Sequence, residues 1–283
     1  MVDLHDKEIH GVINAFLHAL ETNAVPPCNI EDNLKTFAFN CAVLEAGKTD
    51  AKKNLSLGGQ FNSALISVPK LEEDCYDWYA RHEDVLRAGR KIDPEIVLIG
   101  DSITHFWGGE PASETVRGPI SWQATFGKYR TLNMGFGWDR IQNVLWRLEH
   151  GEFNGLAPHL VILNIGINNT SATPNARCNT PEEIAEGISA ICCRLRKFAP
   201  NVSIIVMGLF PCGQYPADER RPLVARINRN LAAIARETGV TFLDIGHLFL
   251  EPDGSISSEI MSDFTHPTEK GYMLWAKAIR PLL

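Results

Sequence analysis

Residues 96–104 read IVLIGDSIT, a run of four apolar residues followed at once by Gly100, Asp101 and Ser102. A short run rich in β-branched residues that stops at a glycine is typical of a buried strand in a parallel sheet. The polar residues then stand where such a strand turns into a helix. Four more apolar runs of strand length follow along the chain, at residues 129–134, 160–165, 202–209 and 240–245.

Helical patterns separate or follow these runs. They cover residues 141–150, 181–198, 219–238 and 268–279. Strands that alternate with helices indicate βαβ units, in which a parallel sheet is covered by helices on both faces. The sequence therefore predicts an α/β fold with five parallel strands. In such folds the functional groups gather at the carboxyl ends of the strands, which here are the segments that follow each run.

The chain before residue 91 is predicted to contain helices and a linker rather than strands. Apolar residues at helical spacing predict helices at residues 6–21, 30–46 and 71–89, with a polar, Gly-rich linker at 48–63. We therefore predict an N-terminal helical extension with its linker at residues 1–65 and a catalytic domain at 66–283. The apolar faces of the first two helices need cover, either on the same chain, which we favour slightly, or in a homodimer contact.

Composition narrows the function classes. The chain has 27 Lys and Arg against 34 Asp and Glu, a formal charge of −7 that argues against a general nucleic-acid binder. Residues 1–11 do not form a secretory signal, and the chain contains no apolar run long enough to span a membrane. Seven cysteines, without CxxC spacing, favour reduced thiols in a cytoplasmic protein. Because HExxH spacing is also missing, we expect no metal; because the Gly135-x-Gly137 pair lacks the third glycine of a dinucleotide fingerprint and no GxxxxGK(S/T) loop occurs, we expect no nucleotide cofactor.

Polar segments follow the second and third runs and precede the last helix. They read NMGFGWDR at residues 133–140, NIGINN at 164–169 and SDFTHP at 262–267. In a parallel α/β sheet all three should meet Ser102 at one rim. Each of the four polar segments, including the one that carries Ser102, stands at the end of an element that should reach this rim. Their joint position predicts a single site.

The residue types at this rim suit acyl transfer. A serine hydroxyl such as that of Ser102 is a poor nucleophile unless a nearby base takes its proton, and His266 is the candidate base. Asp263, three residues earlier, can hold the other ring nitrogen of the histidine. The tetrahedral intermediate needs donors for its oxyanion. The Ser102 N–H, a backbone N–H at residues 135–138 and the Asn168 amide are the candidates.

Each signal has a simpler explanation when taken alone. Asp101 or Ser102 could cap the following helix, Asn168 could belong to a turn, and Asp263 could begin the last helix. Together, the segments GDSIT, NMGFGWDR, NIGINN and DFTH resemble the SGNH, or GDSL, hydrolase superfamily over about residues 94–283. With VLWRL at 144–148 and the Gly-Glu pair that follows, the chain is most similar to the catalytic subunits of platelet-activating-factor acetylhydrolases and related bacterial acetylesterases.

The resemblance implies a three-layer α/β/α sandwich of the flavodoxin-like SGNH type and a serine esterase without a cofactor. It assigns Ser102 as nucleophile, Asp263 and His266 as its triad partners, and Asn168 as an oxyanion donor. Trp138 stands where the family usually has a glycine whose N–H also binds the oxyanion. A backbone donor survives this change, although tryptophan tolerates positive φ less well than glycine. We predict that the indole narrows the acyl pocket and favours acetyl or similarly short groups.

A substrate pocket should adjoin these residues. We expect Asp101, Trp107 and Asp139 to contribute to it, although Trp107 could equally pack on the first helix. Asp139 could instead pair with Arg140 and hold the oxyanion loop, or simply open the next helix. Trp107 and Trp138 could stack on a sugar ring, which favours an acetyl ester of a carbohydrate or another small alcohol as the substrate. The alternatives are a lipase or thioesterase for long acyl chains, and a non-catalytic module that binds acylated ligands.

Overall fold

Five parallel strands form the centre of the molecule in the computed structural model, which describes residues 62–283. The strands are β1 (Ile96–Gly100), β2 (Thr131–Gly135), β3 (Leu160–Asn164), β4 (Ser203–Met207) and β5 (Thr241–Leu243). Their order in the sheet is β2-β1-β3-β4-β5, with every neighbouring pair parallel. This is the flavodoxin-like order, in which the chain reverses direction across the sheet between β1 and β3.

The helices form layers on the two faces of the sheet. They are α1 (Trp78–Ile92), α2 (Ser102–His105), α3 (Pro119–Phe126), α4 (Ile141–Glu149), α5 (Pro181–Phe198), α6 (Arg220–Thr238) and α7 (Glu269–Ile279). Helix α3 packs on α7, while α4, α5 and α6 pack side by side. The chain moves along the sheet in one direction from β1 to β2 and in the opposite direction from β2 to the later strands. Because crossovers between parallel strands are right-handed, this reversal places the two groups of helices on opposite faces of the sheet. The predicted α/β/α sandwich with five parallel strands is confirmed.

Local sequence explains the limits of the longest predicted elements. Helix α5 begins after Thr180, whose hydroxyl accepts from the Glu183 N–H at 3.2 Å while the Glu183 carboxylate accepts from the Thr180 N–H at 3.0 Å. Pro181 occupies the first helical position, where its missing N–H costs nothing. The observed helix therefore has the bounds that the sequence predicts.

Two helices differ from the prediction. Helix α1 begins at Trp78 rather than at residue 71, because the Asp77 carboxylate caps it by accepting from two backbone N–H groups at 2.9 and 3.1 Å. Helix α3 was not predicted, since its sequence PISWQATF has no regular apolar stripe and its N-cap, Gly118, offers no side-chain oxygen.

The beginning of the described region packs on helices α4 and α5. The 3₁₀ turn Ser63–Leu65 buries Ala64 completely, close to Gly187 of α5. The helices predicted at 6–21 and 30–46, and most of the predicted linker, lie outside the described residues, so the domain boundary at residue 65 stays a prediction. No helix within residues 62–283 has the length and apolar character needed to cross a membrane.

Candidate active site

The turn from β1 into α2 places Ser102 at the rim of the sheet. A Cβ on Gly100 would lie 2.2 Å from the Thr104 hydroxyl and 2.3 Å from the backbone oxygen of Asn164, so only glycine fits where the chain leaves β1. Asp101 turns inward and caps α2, where its Oδ1 accepts from the Ile103 N–H at 3.0 Å. Ser102 is then the first residue of the helix, and its side chain reaches a surface cavity.

Ser102, His266 and Asp263 form a continuous hydrogen-bonded chain. Ser102 Oγ lies 2.7 Å from His266 Nε2, and His266 Nδ1 lies 2.9 Å from Asp263 Oδ2. The other carboxylate oxygen of Asp263 accepts from the backbone N–H groups of Thr265 and His266, at 3.2 and 2.7 Å. These contacts fix the turn that carries the histidine. The arrangement can take a proton from the serine hydroxyl and stabilise the resulting imidazolium.

Neighbouring groups keep the Asp263 carboxyl group ionised. Partial burial raises the pKa of this carboxyl group, but the backbone hydrogen bond from His266, the charge of His266 and that of Arg117 outweigh burial and lower the pKa to about 2. Arg117 Nη1 donates to Asp263 Oδ2 at 3.3 Å. The carboxylate therefore remains ionised at any pH at which the protein would be assayed.

Three N–H groups are available near Ser102 for an oxyanion. The backbone N–H groups of Ser102 and Trp138 have no hydrogen-bond partner among residues 62–283. Asn168 Nδ2 donates one hydrogen to the Asp139 carbonyl at 2.9 Å, which leaves its second hydrogen free for a ligand. Ser102, Trp138 and Asn168 all line the same cavity. Trp138 adopts the left-handed backbone conformation, with φ at 62°.

The loop that carries Trp138 is held from several sides. The Gly137 N–H donates to His105 Nδ1 at 3.1 Å, and the Gly137 carbonyl accepts from the Tyr76 hydroxyl at 3.0 Å. Arg81 Nε donates to the Gly135 carbonyl at 2.7 Å. Burial and the nearby charges of Arg81 and Arg147 lower the pKa of His105 to about 2, so its ring is neutral and Nδ1 can accept.

A buried network of charged side chains lies behind this loop. Asp139 accepts from Trp78 Nε1 at 2.7 Å and from Arg147 Nε at 2.8 Å. Arg147 Nη1 also donates to Glu152 Oε2 at 2.5 Å, and Glu152 Oε1 lies 2.7 Å from His82 Nδ1. Burial raises the pKa of Asp139 to about 7, although the charge and hydrogen bond of Arg147 and the hydrogen bond of Trp78 act in the opposite direction. The network ties the segment after β2 to helices α1 and α4.

The predicted pocket positions of Asp101, Trp107 and Asp139 are wrong. Their side chains are 0%, 0% and 1% exposed, and none of them lines the cavity. The indole of Trp107 packs against both Trp275 and Tyr272, with ring centroids 4.4 and 5.2 Å away. Apolar burial and a hydrogen bond from its Nε1 to Ser121 hold this ring inside the core, so it cannot stack on a sugar.

The cavity itself has a volume of about 400 Å³. Its lining combines the site residues with an apolar wall and a polar rim: Asp74, Ser102, Phe106, Trp138, Ile167, Asn168, Ser171, Arg220, Asp263, Thr265 and His266. Asp74 and Arg220 were not predicted, because they lie far from the four motifs and carry no local signal. Ser171 could have been found, because it lies only two residues after the third motif. Among residues 62–283, no group of three His, Cys, Asp or Glu side chains is placed to hold a metal ion.

Comparison with known proteins places the chain among acylhydrolases. Residues 98–274 match the GDSL-like lipase/acylhydrolase family. Rat platelet-activating factor acetylhydrolase IB subunit alpha1 is 33% identical over 208 residues, covering 73% of this chain and 82% of the relative. The human alpha2 subunit is 31% identical over 227 residues, covering 79% and 90%.

Solved structures share the fold. A GDSL-like lipase from Bacteroides thetaiotaomicron superposes with a TM-score of 0.56 at 18% identity, over 72% of this chain and 94% of that one. An acetylxylan esterase from Geobacillus stearothermophilus gives a TM-score of 0.52 at 22% identity, over 66% and 92%. At these identities the superpositions show a common architecture.

Proposed function

Because the chain belongs to the GDSL-like lipase/acylhydrolase family and is a carboxylic ester hydrolase, we propose that it uses Ser102, His266 and Asp263 to hydrolyse short acyl esters. The observation that carries the proposal is the hydrogen-bonded chain from Ser102 Oγ to His266 Nε2 at 2.7 Å and from His266 Nδ1 to Asp263 at 2.9 Å. The substrate we propose is an acetyl ester of a carbohydrate or another small alcohol.

The reaction follows from this geometry. Ser102 Oγ attacks the ester carbonyl carbon while its proton passes to His266 Nε2, and the ionised Asp263 stabilises the imidazolium. The carbonyl oxygen becomes an oxyanion held by the N–H groups of Ser102 and Trp138 and by the Asn168 amide. When the tetrahedral intermediate collapses, His266 returns the proton to the leaving alcohol. Water, deprotonated by His266, then attacks the acyl-serine, and Ser102 and the free carboxylic acid are released.

A short acyl chain agrees with the walls around the oxyanion. Trp138 places an indole, 44% exposed, in the wall of the cavity. Phe106 and Ile167 close the apolar side of the cavity. The rat and human relatives are named for the removal of an acetyl group, and the Geobacillus structure is named an acetylxylan esterase.

The rim of the cavity suits a polar alcohol. The exposed Trp138 indole stands with Asp74, Ser171 and Arg220 around the opening. A flat apolar surface beside hydrogen-bonding side chains matches the alternating apolar and hydroxyl faces of a sugar. Arg220 is held toward Asp218 by contacts of 3.2 and 3.4 Å, so its orientation is set before a ligand arrives.

A substrate panel tests the proposal. Purified protein is assayed with p-nitrophenyl acetate, butyrate and octanoate, then with acetylated xylooligosaccharides and a phospholipid acetyl ester, with Ser102→Ala as the control. We expect the acetate to give the highest kcat/KM of the three nitrophenyl esters and the sugar esters to exceed the phospholipid ester. A preference for octanoate would favour a lipase or thioesterase. Failure to turn over any ester, together with measurable binding, would favour a binding module.

A further inference from the structure

The peptide unit that joins Gly137 to Trp138 is held by a residue outside the four motifs. This unit carries the Trp138 N–H, which serves the oxyanion in the proposed reaction, and the Gly137 carbonyl, which accepts from the Tyr76 hydroxyl at 3.0 Å. The C=O and N–H of a planar trans peptide point in opposite directions, so fixing one fixes the other. We propose that Tyr76 is a positioning residue that aims the Trp138 N–H at the oxyanion, an inference that rests on the proposed function.

The orientation of this peptide needs support from another side chain because of the backbone conformation of Trp138. Trp138 has φ at 62°, a conformation that costs energy for any residue with a Cβ. Rotation of the peptide plane would relieve this strain and would turn the Gly137 oxygen toward the oxyanion, where it would repel the charge. A hydrogen bond to that oxygen opposes the rotation directly.

The preceding peptide is secured independently. The Gly137 N–H donates to His105 Nδ1 at 3.1 Å, and the His105 ring packs edge-on against the Tyr76 ring with centroids 4.8 Å apart. One side chain therefore holds the peptide before Gly137, the other holds the peptide after it, and the two rings support each other.

Tyr76 is well suited to this role. Burial, and next the charge of Asp139, raise the pKa of its hydroxyl well above the ordinary value, so the group remains a donor across the assay range. The fit is also close, because a Cβ on Gly137 would lie 2.1 Å from Asp74 Oδ2 and 3.0 Å from Tyr76 Cε1. Tyr76 lies outside residues 98–274, the part of the chain that matches the family.

The test removes only the hydroxyl. In Tyr76→Phe we expect kcat for p-nitrophenyl acetate to fall about 3- to 10-fold, the range expected for one neutral hydrogen bond, with KM unchanged. A trifluoromethyl ketone that forms a tetrahedral adduct with the serine should lose affinity by the same factor, because its oxyanion uses the same N–H. Tyr79→Phe is the matched control, since Tyr79 is exposed and its hydroxyl has no hydrogen-bond partner in the described part of the chain.

A second background tests the role of the strained conformation. Glycine adopts positive φ without the cost of a Cβ, so in the Trp138→Gly background the loss caused by Tyr76→Phe should be smaller. Unchanged kcat and unchanged ketone affinity in Tyr76→Phe would overturn the inference, as would a rise in KM at constant kcat. Each of these results leaves the proposed esterase activity intact, whereas an inactive wild-type protein would overturn the proposed function itself.

Discussion

Replacing Arg147 with methionine removes the cation that lies between two buried carboxylates. The side chains of Arg147, Asp139 and Glu152 are 0%, 1% and 0% exposed, so water cannot take over the lost contacts. Removing one partner of a buried ion pair costs about 3–5 kcal/mol, because the remaining charge is left in a low-dielectric interior. Arg147 also lies over the Phe136 ring at 4.0 Å, and methionine keeps part of that apolar contact.

The stability lost in Arg147→Met should increase as pH rises. Burial raises the pKa of Asp139 to about 7 from its ordinary value of 3.8. A carboxyl group whose pKa is higher in the folded state binds its proton more tightly there, so its contribution to stability falls as pH rises from about 4 to 7, by up to about 1.4 kcal/mol per pH unit. Without Arg147 the pKa rises further and this decline continues above pH 7. Arg147→Met should therefore cost more at about pH 8.5 than at about pH 6.

Urea unfolding followed by tryptophan fluorescence measures both effects. Arg87→Met is the matched control, because Arg87 and its partner Asp84 are 68% and 47% exposed and such pairs contribute about 0–1 kcal/mol. Arg147→Lys supplies a variant that keeps the charge if the methionine variant is too unstable to measure. A loss in Arg147→Met as small as that in Arg87→Met, or a larger loss at pH 6 than at pH 8.5, would refute the reasoning.

Three further substitutions probe the site and its support. Trp138→Gly should raise the ratio of butyrate to acetate turnover, and an unchanged chain-length profile would show that the indole does not limit the acyl pocket. Asp263→Asn should lower kcat by roughly 10³- to 10⁴-fold at every pH between about 5 and 9, because the pKa of about 2 keeps the wild-type carboxylate ionised throughout that range; recovery of activity at alkaline pH would contradict this. Trp107→Ala should destabilise the protein by about 3–5 kcal/mol, measured by urea unfolding, while KM for an acetylated sugar stays constant. A rise in KM without this loss of stability would show that the Trp107 ring contacts the substrate.

The fold was predictable because its signals are local. Runs such as IVLI at the start of β1 are apolar on both faces and stop at glycine or asparagine, which is what a covered parallel strand requires. The start of α5 is encoded by Thr180, Pro181 and Glu183 alone. Helix α3 carries no such code, since its position depends on contacts with α7 that a single sequence does not reveal.

The site was predictable where backbone position decides it. Ser102, Asn168, Asp263 and His266 each stand at the end of an element that the parallel topology brings to one rim. The direction in which a side chain points does not follow from its position along the chain. For this reason Trp107, Asp101 and Asp139 were wrongly predicted to line the pocket. Asp101 turns inward to cap its helix, while Asp139 is drawn into the core by Arg147.

Covalent labelling of Ser102 tests the central claim most directly. Wild-type protein is treated with a fluorophosphonate, digested and analysed by mass spectrometry, with Ser102→Ala and His266→Ala in parallel. We expect a single adduct on Ser102, none in Ser102→Ala, and labelling slowed by at least about 100-fold in His266→Ala, where no base activates the hydroxyl. Esterase activity without any adduct on Ser102, or labelling that is equally fast without His266, would contradict the account.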